Sequence, residues 1–332
     1  MKLKTPYLMF LGDAPDQLGA KTAQGVVDWR PDICIGQIKL DGCNADLGLT
    51  DMTLEGGVEA GAKTLIVGIT NRGGVISEAW EKTIVEAIEL GYDIASGLHN
   101  SLRDSPAIAA AAKKHDGQLF DVRHPTENYP VAVGTKRTGK RLLPVGTDCS
   151  VGKMYTALAI EKEMRGRGMK VSFRATGQTG IFIAGEGVSV DAVVADFISG
   201  ATETIAPAND ADHWDIIEGQ GSLFHASYAG VSLGLLHGAQ PDALVLCHEP
   251  TRSHMRGLPN FALPDLGACM EANLAAARLT NPNPKFVGIS INTKGLDEDA
   301  ALSMLDEVGD QYDLPCVDPF RTGMSAIVDR MW

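Results

Sequence analysis

The sequence predicts an α/β protein of two domains, each a parallel sheet layered between helices, and three observations predict it. Short apolar runs alternate along the chain with stretches of helical spacing. Polar, glycine-rich loops follow the apolar runs. The rhythm stops between Arg123 and Lys140, where Pro125, Pro130, Gly134 and Gly139 interrupt it, and then restarts. The domains are therefore expected at 1–135 and 136–332. A length of 332 residues suits two domains of ordinary size, each able to bury a core without a disulfide or metal.

In the first half, Tyr7–Leu11 reads as a strand ending at Gly12-Asp13, Asp32–Ile38 as a second and Thr64–Ile69 as a third. Glu78–Leu90 has helical spacing (Ile84, Val85, Ile88) and stops at Gly91. Asp93–Ala95 begins a fourth strand, Pro106–Lys114 is an alanine-rich helix opened by proline, and Gln118–Val122 is a fifth strand. In the second half, Arg141–Val145, Lys170–Arg174, Trp214–Ile217, Ala243–Cys247 and Phe286–Ile291 read as strands. Val151–Arg165, Val190–Ile198, Ser227–Leu236, Asp265–Leu279 and Asp297–Val308 read as helices, and Ala175–Gly180 as a loop. Open parallel sheets bind ligands outside the carboxyl ends of their strands, so Thr147, Arg174, Glu218 and Arg252, each just past or at such an end, are candidates to converge.

The composition narrows the function. A net charge of -13 argues against a broad basic face for nucleic acid. The first residues hold only a five-residue apolar run, too short for a signal core or a span, so a cytoplasmic protein without membrane association is expected. Six cysteines form no CxxC pair and no metal-ligand spacing, which suits a reducing compartment. A homo-oligomer is the expected assembly for a soluble enzyme.

The strongest motif is Gly146-Thr147-Asp148-Cys149-Ser150-Val151-Gly152-Lys153, set between a predicted strand and a predicted helix. That context is the one a phosphate-binding P-loop requires. Glycines let the backbone curl until its N–H groups face inward, and Lys153 adds a positive charge. All eight residues are candidates for holding a phosphate-bearing ligand. Two departures matter. Five residues separate the glycines where the usual loop has four, and Met154 stands where Ser or Thr would hold Mg²⁺. A thioether is a poor ligand for that hard cation, so phosphoryl chemistry is disfavoured and no metal site is assigned.

The GTDxxVGK form of this loop resembles that of dethiobiotin synthetase and related amidoligases, and Glu218-Gly219-Gln220-Gly221 is similar to their EGAG segment. The closer resemblance is to a two-domain family, long described only as a domain of unknown function. It pairs a Rossmann-like N-terminal domain with a P-loop-NTPase-like C-terminal domain. It is carried by AKTAQGV (Ala20 to Val26), GTDCSVGKM, RATGQTG (Arg174 to Gly180), EGQGSL (Glu218 to Leu223) and HEPTR (His248 to Arg252), across essentially the whole chain.

That resemblance implies N-acetylation of D-glutamate, with acetyl-CoA as co-substrate and no tightly bound cofactor. The P-loop is then expected to hold CoA phosphates. Acetyl transfer needs a free amine, donors for the oxyanion and a proton for the leaving thiolate. Asp148, Arg174 and Glu218 are the catalytic candidates, with His248 a further proton acceptor. Two carboxylates on the acceptor favour arginine recognition. Arg72, Arg174, Gln178, Thr179, His248 and Arg252 are the substrate-binding candidates, and Lys21 and Lys39 are lesser ones. Cys149, at a helix N-terminus beside Lys153, raises a covalent acyl route as the lesser alternative to direct transfer. An ATP-dependent ligase or kinase and a non-catalytic nucleotide sensor remain as rival readings.

Overall fold

A computed structural model describes residues 2–70, 75–125 and 127–331 of the chain. The chain forms two compact units: Met1–Thr126 with Gly177–Ala192, and Glu127–Thr176 with Val193–Trp332.

The first unit follows the order β1 (Tyr7–Gly12), α1 (Lys21–Trp29), β2 (Cys34–Lys39), α2 (Leu54–Glu59), β3 (Thr64–Val67), α3 (Glu78–Glu89), β4 (Asp93–Ser96), α4 (Pro106–His115) and β5 (Leu119–Asp121). Its five strands are all parallel, in the order β2-β1-β3-β4-β5. Every residue of β1 is buried, as expected of a strand covered on both faces. Ser77 caps α3 and Ser105 caps α4, each accepting a backbone N–H, which is why those helices begin where the periodicity places them.

The second unit contains β6 (Lys140–Gly146), α5 (Lys153–Gly166) and β7 (Val171–Arg174). The chain then contributes α6 (Gln178–Ala184) to the first unit before returning. It continues with α7 (Ile198–Ile205), β8 (Trp214–Ile217), α8 (Ala229–Ala239), β9 (Ala243–His248), α9 (Leu266–Ala277), β10 (Lys285–Ile291), α10 (Glu298–Tyr312), β11 (Cys316–Val317) and α11 (Ser325–Asp329). Six parallel strands run in the order β11-β10-β9-β6-β8-β7. Alternation sorts the core onto two faces. Leu142, Ile216, Val245 and Val287 join Ala157, Ile160 and Ile327 on one side. Leu143, Ile217, Leu244, Leu246 and Ile289 join Leu235, Leu236 and Leu305 on the other. Each fully buried side chain of this kind contributes roughly 2 kcal/mol of transfer free energy.

Three expectations are corrected. Val190–Ile198 is not one helix: two short 3₁₀ turns precede α7, which begins at Ile198. That helix, ISGATETI, is rich in β-branched residues and glycine. Gly200 is there because a side chain would collide with the Pro130 carbonyl, 1.7 Å from an ideal Cβ. Residues 178–180, read as the end of a loop, instead open α6, which runs to Ala184. It is tied into the first unit by Arg30 Nη1 donating to the Ile183 carbonyl at 3.2 Å and by Leu3 N–H donating to Gly185 at 2.8 Å. The helix α1, with β-branched residues and Gly25, escaped the periodicity altogether. Among the described residues no helix is long and apolar enough to cross a membrane.

Candidate functional site

The loop after β6 is curled, as its composition predicts. Thr147 N–H donates to the Cys247 carbonyl at 3.1 Å and so prolongs the alignment of β6 with β9. Ser150 (φ 54°) and Gly152 (φ 104°) then turn through the left-handed region. Gly146 must lack a side chain, because an ideal Cβ would lie 2.9 Å from Val151 Cγ2 and 3.1 Å from Lys153 Nζ. No side chain caps α5, and the N–H groups of Ser150, Gly152 and Lys153 find no acceptor among the described residues. This is an anion cradle at a helix N-terminus. Lys153 is folded into it, 6% exposed, with Nζ donating to the Asp148 carbonyl at 2.8 Å. Burial lowers its pKa.

The Asp148 carboxylate is taken up by protein donors. The residue is fully buried, and its carboxylate accepts from Cys149 N–H at 2.6 Å, Arg252 Nη1 at 2.8 Å and Arg256 N–H at 2.8 Å. Arg252 is equally committed. Besides Asp148 it donates to the carbonyls of Cys149 and Ser150, both at 2.7 Å, and to Glu249. Four of its five N–H donors are spent on the loop and its neighbour. Expected as a proton acceptor and a carboxylate binder, the two form instead a clamp that fixes the loop's curvature from behind. Arg256 had no signal in the sequence, since it meets Asp148 through its backbone N–H.

Glu218 and His248 stand at the carboxyl ends of β8 and β9, flanking the loop strand in the sheet order. Glu218 Oε2 accepts from Thr176 N–H at 2.9 Å, and Thr176 Oγ1 donates to the Glu218 carbonyl at 2.6 Å. The next residue, Gly219, packs so tightly that an ideal Cβ would sit 1.9 Å from the Pro144 carbonyl and 3.1 Å from Lys153 Cδ. His248 Nδ1 and Thr147 Oγ1 lie 2.9 Å apart, which ties the imidazole to the loop. Burial pushes the pKa of His248 down, with Arg252 adding to the effect and Glu249 opposing it. Of the two, His248 is the side chain in hydrogen-bond contact with the loop.

Arg174 is directed elsewhere. Its Nε donates to Asp215 Oδ1 at 2.7 Å, and Asp215 lies two residues back along β8 from the residue paired with Arg174. Asn209 Nδ2 holds the other Asp215 oxygen at 3.0 Å. This ion pair belongs to the amino-end side of the sheet, not to the cradle, so neither the catalytic nor the substrate-binding expectation for Arg174 is met by this geometry. Gln178 and Thr179 open α6 and belong to the first unit, where Gln178 lines a cavity together with Lys21. Lys39 is paired with Asp46 and Asp51. Arg72 lies outside the described residues.

The donor set does not fit Mg²⁺. Met154 occupies the position of the metal-holding hydroxyl, and Thr156 Oγ1 is buried against Ser290 Oγ at 2.8 Å. Asp148, Cys149 and His225 place ligand atoms within 4.8 Å of one another. Both His225 nitrogens are occupied, however: Nδ1 accepts from Ser227 N–H, and Nε2 faces the Arg256 carbonyl at 3.1 Å and so carries the proton. Burial also raises the pKa of Cys149, against the pull of Lys153, so the thiol stays protonated and is a poor nucleophile.

Comparison with known proteins agrees with both units. Residues 39–125 match the Rossmann-like domain, and 130–328 the P-loop domain, of a family described as a domain of unknown function, DUF1611. The chain is 59% identical over 329 residues to a D-glutamate N-acetyltransferase of Tritonibacter scottomollicae, covering 99% of each chain. It is 49% identical over 331 residues to another protein of that name from a Pseudoalteromonas species, covering 100% of each. The crystal structure of a DUF1611 family protein from Anabaena variabilis superimposes with a TM-score of 0.86 at 29% identity, over 98% of this chain and 99% of that one.

Proposed function

This chain belongs to the DUF1611 family, and from that premise we propose that it moves acetyl from acetyl-CoA to the amine of D-glutamate by direct transfer. The observation that carries the proposal is a phosphate cradle, Gly146 to Lys153, whose neighbours cannot hold magnesium. Such a cradle grips a phosphate-bearing donor while leaving its phosphates unreacted, which suits CoA as a carrier. The two relatives named as D-glutamate N-acetyltransferases support the acceptor, and the protonated Cys149 supports a route without an acyl-enzyme.

In the proposed reaction the free amine attacks the thioester carbonyl. A C–N bond forms, the C–S bond breaks, and CoA leaves as the thiol. The amine proton passes to His248 or Glu218 and from there to the departing sulfur, and His248, held neutral by burial, is the better suited near neutral pH. The rival ATP-dependent ligase needs a metal-holding oxygen that neither Met154 nor Thr156 supplies. The decisive assay follows free thiol release and N-acetyl-D-glutamate when purified protein meets acetyl-CoA and D-glutamate. Folded protein that binds acetyl-CoA yet yields neither product sinks the proposal.

A further inference from the structure

The first unit holds a cavity of about 740 Å³ at the carboxyl ends of β1, β3 and β4. β1 is the strand at which the sheet order reverses, where open parallel sheets take ligands. Asp13, Asp16, Lys21, Trp80, Arg123 and Gln178 are among the residues lining it.

The loop after β1 carries two carboxylates, Asp13 and Asp16, and Pro15 has no N–H to offer. Four of its N–H groups are turned inward: Ala14 donates to Leu11, Gly19 to Asp16, Ala20 to Gln17 and Lys21 to Leu18, at 3.1 to 3.3 Å. The same residues favour a ligand that bears both signs of charge. Trp80 Nε1 holds Asp13 Oδ1 at 2.8 Å, which orients the carboxylate and leaves Oδ2 without a hydrogen bond among the described residues. Arg123 is braced by the Gly97 carbonyl at 3.3 Å and by Asp191 at 3.2 Å, through Nε and Nη1, which leaves Nη2 to donate. Lys21 makes no ion pair among the described residues.

We propose that this cavity binds a small zwitterion with an additional carboxylate, the ammonium on Asp13 and the carboxylates on Lys21 and Arg123. Naming the acceptor as an acidic amino acid rests on the transfer reading above. The site itself rests on the lining.

The test is calorimetric titration of D-glutamate, and of glutarate, which lacks the ammonium, in the presence of saturating unreactive CoA. Lys21→Ala is expected to weaken D-glutamate about tenfold, the worth of one charge-assisted hydrogen bond. Asp13→Asn is expected to weaken D-glutamate about as much while leaving glutarate within about twofold, because only the ammonium loses its partner. Both side chains are exposed, and unchanged acetyl-CoA affinity reports that the variants are folded. The proposal is overturned if both variants bind D-glutamate like wild type, or if acetyl-CoA affinity falls instead. If D-glutamate binds as described but no acetylated product forms, the transfer reading fails and the site stands. If product forms and neither variant moves the KM for D-glutamate, the site fails and the transfer reading stands.

Discussion

The loops after β1 and after β6 hold the same topological position in two parallel sheets, yet they are electrostatic opposites. The β6 loop leaves the N–H groups of Ser150, Gly152 and Lys153 without protein acceptors and buries a lysine among them. The β1 loop closes the N–H groups of Ala14, Gly19, Ala20 and Lys21 on its own carbonyls and displays Asp13 and Asp16. In both units the loop lies at the carboxyl end of a central strand. Whether that position takes an anion depends on where some eight backbone and side-chain groups point. A parallel sheet is therefore a statement about where a ligand binds, and says little about which one.

The largest expected effect tests the β6 loop directly. Lys153→Ala should raise the KM for acetyl-CoA about 100-fold, since it removes a buried charge from a phosphate site, and leave the KM for D-glutamate unmoved. Saturation kinetics in both substrates checks this, and acetyl-CoA affinity within twofold of wild type would erase the contrast between the loops.

Next is the clamp. Arg252→Gln leaves the fully buried Asp148 without its charged partner, and should cost about 2–3 kcal/mol of stability and about tenfold in the KM for acetyl-CoA. A urea melt beside the kinetics checks both. Loss of D-glutamate affinity alone would return Arg252 to carboxylate binding.

The third concerns pH. Burial depresses the folded-state pKa of His248 below its ordinary 6.5, so the unfolded chain takes up the proton first. Its contribution to stability is complete above that value and is lost as pH falls through the lowered one. kcat/KM should fall along the same limb, about tenfold per pH unit, if His248 accepts the amine proton. A pH–rate profile in which His248→Gln keeps the acid limb would assign that limb to Glu218 or another group.

The smallest effects are the two near-nulls that sharpen the reading. Cys149→Ala should retain turnover within about threefold, with no acetyl adduct by mass spectrometry, because a thiol kept protonated carries no acyl group. Chelation with EDTA should leave turnover within about twofold, and a loss restored by Mg²⁺ would count against the reading of Met154.

How far the residues alone reached can be judged element by element. The strands β1, β6, β8, β9 and β10 were legible as apolar runs, and the helices α3, α4 and α10 as periodic or proline-opened segments. The cradle was legible too, because its chemistry lies in eight consecutive residues and a missing hydroxyl one position later. The direction of Arg174, the clamp of Arg252 on Asp148 across 104 residues, the transfer of α6 to the first unit and the lining of its cavity were not legible. The reason is physical. Backbone conformation and hydrophobic period are local properties, written within about ten residues. A charged side chain takes whichever partner the packing brings within 3 Å, and desolvation makes that choice binding only after distant strands have met.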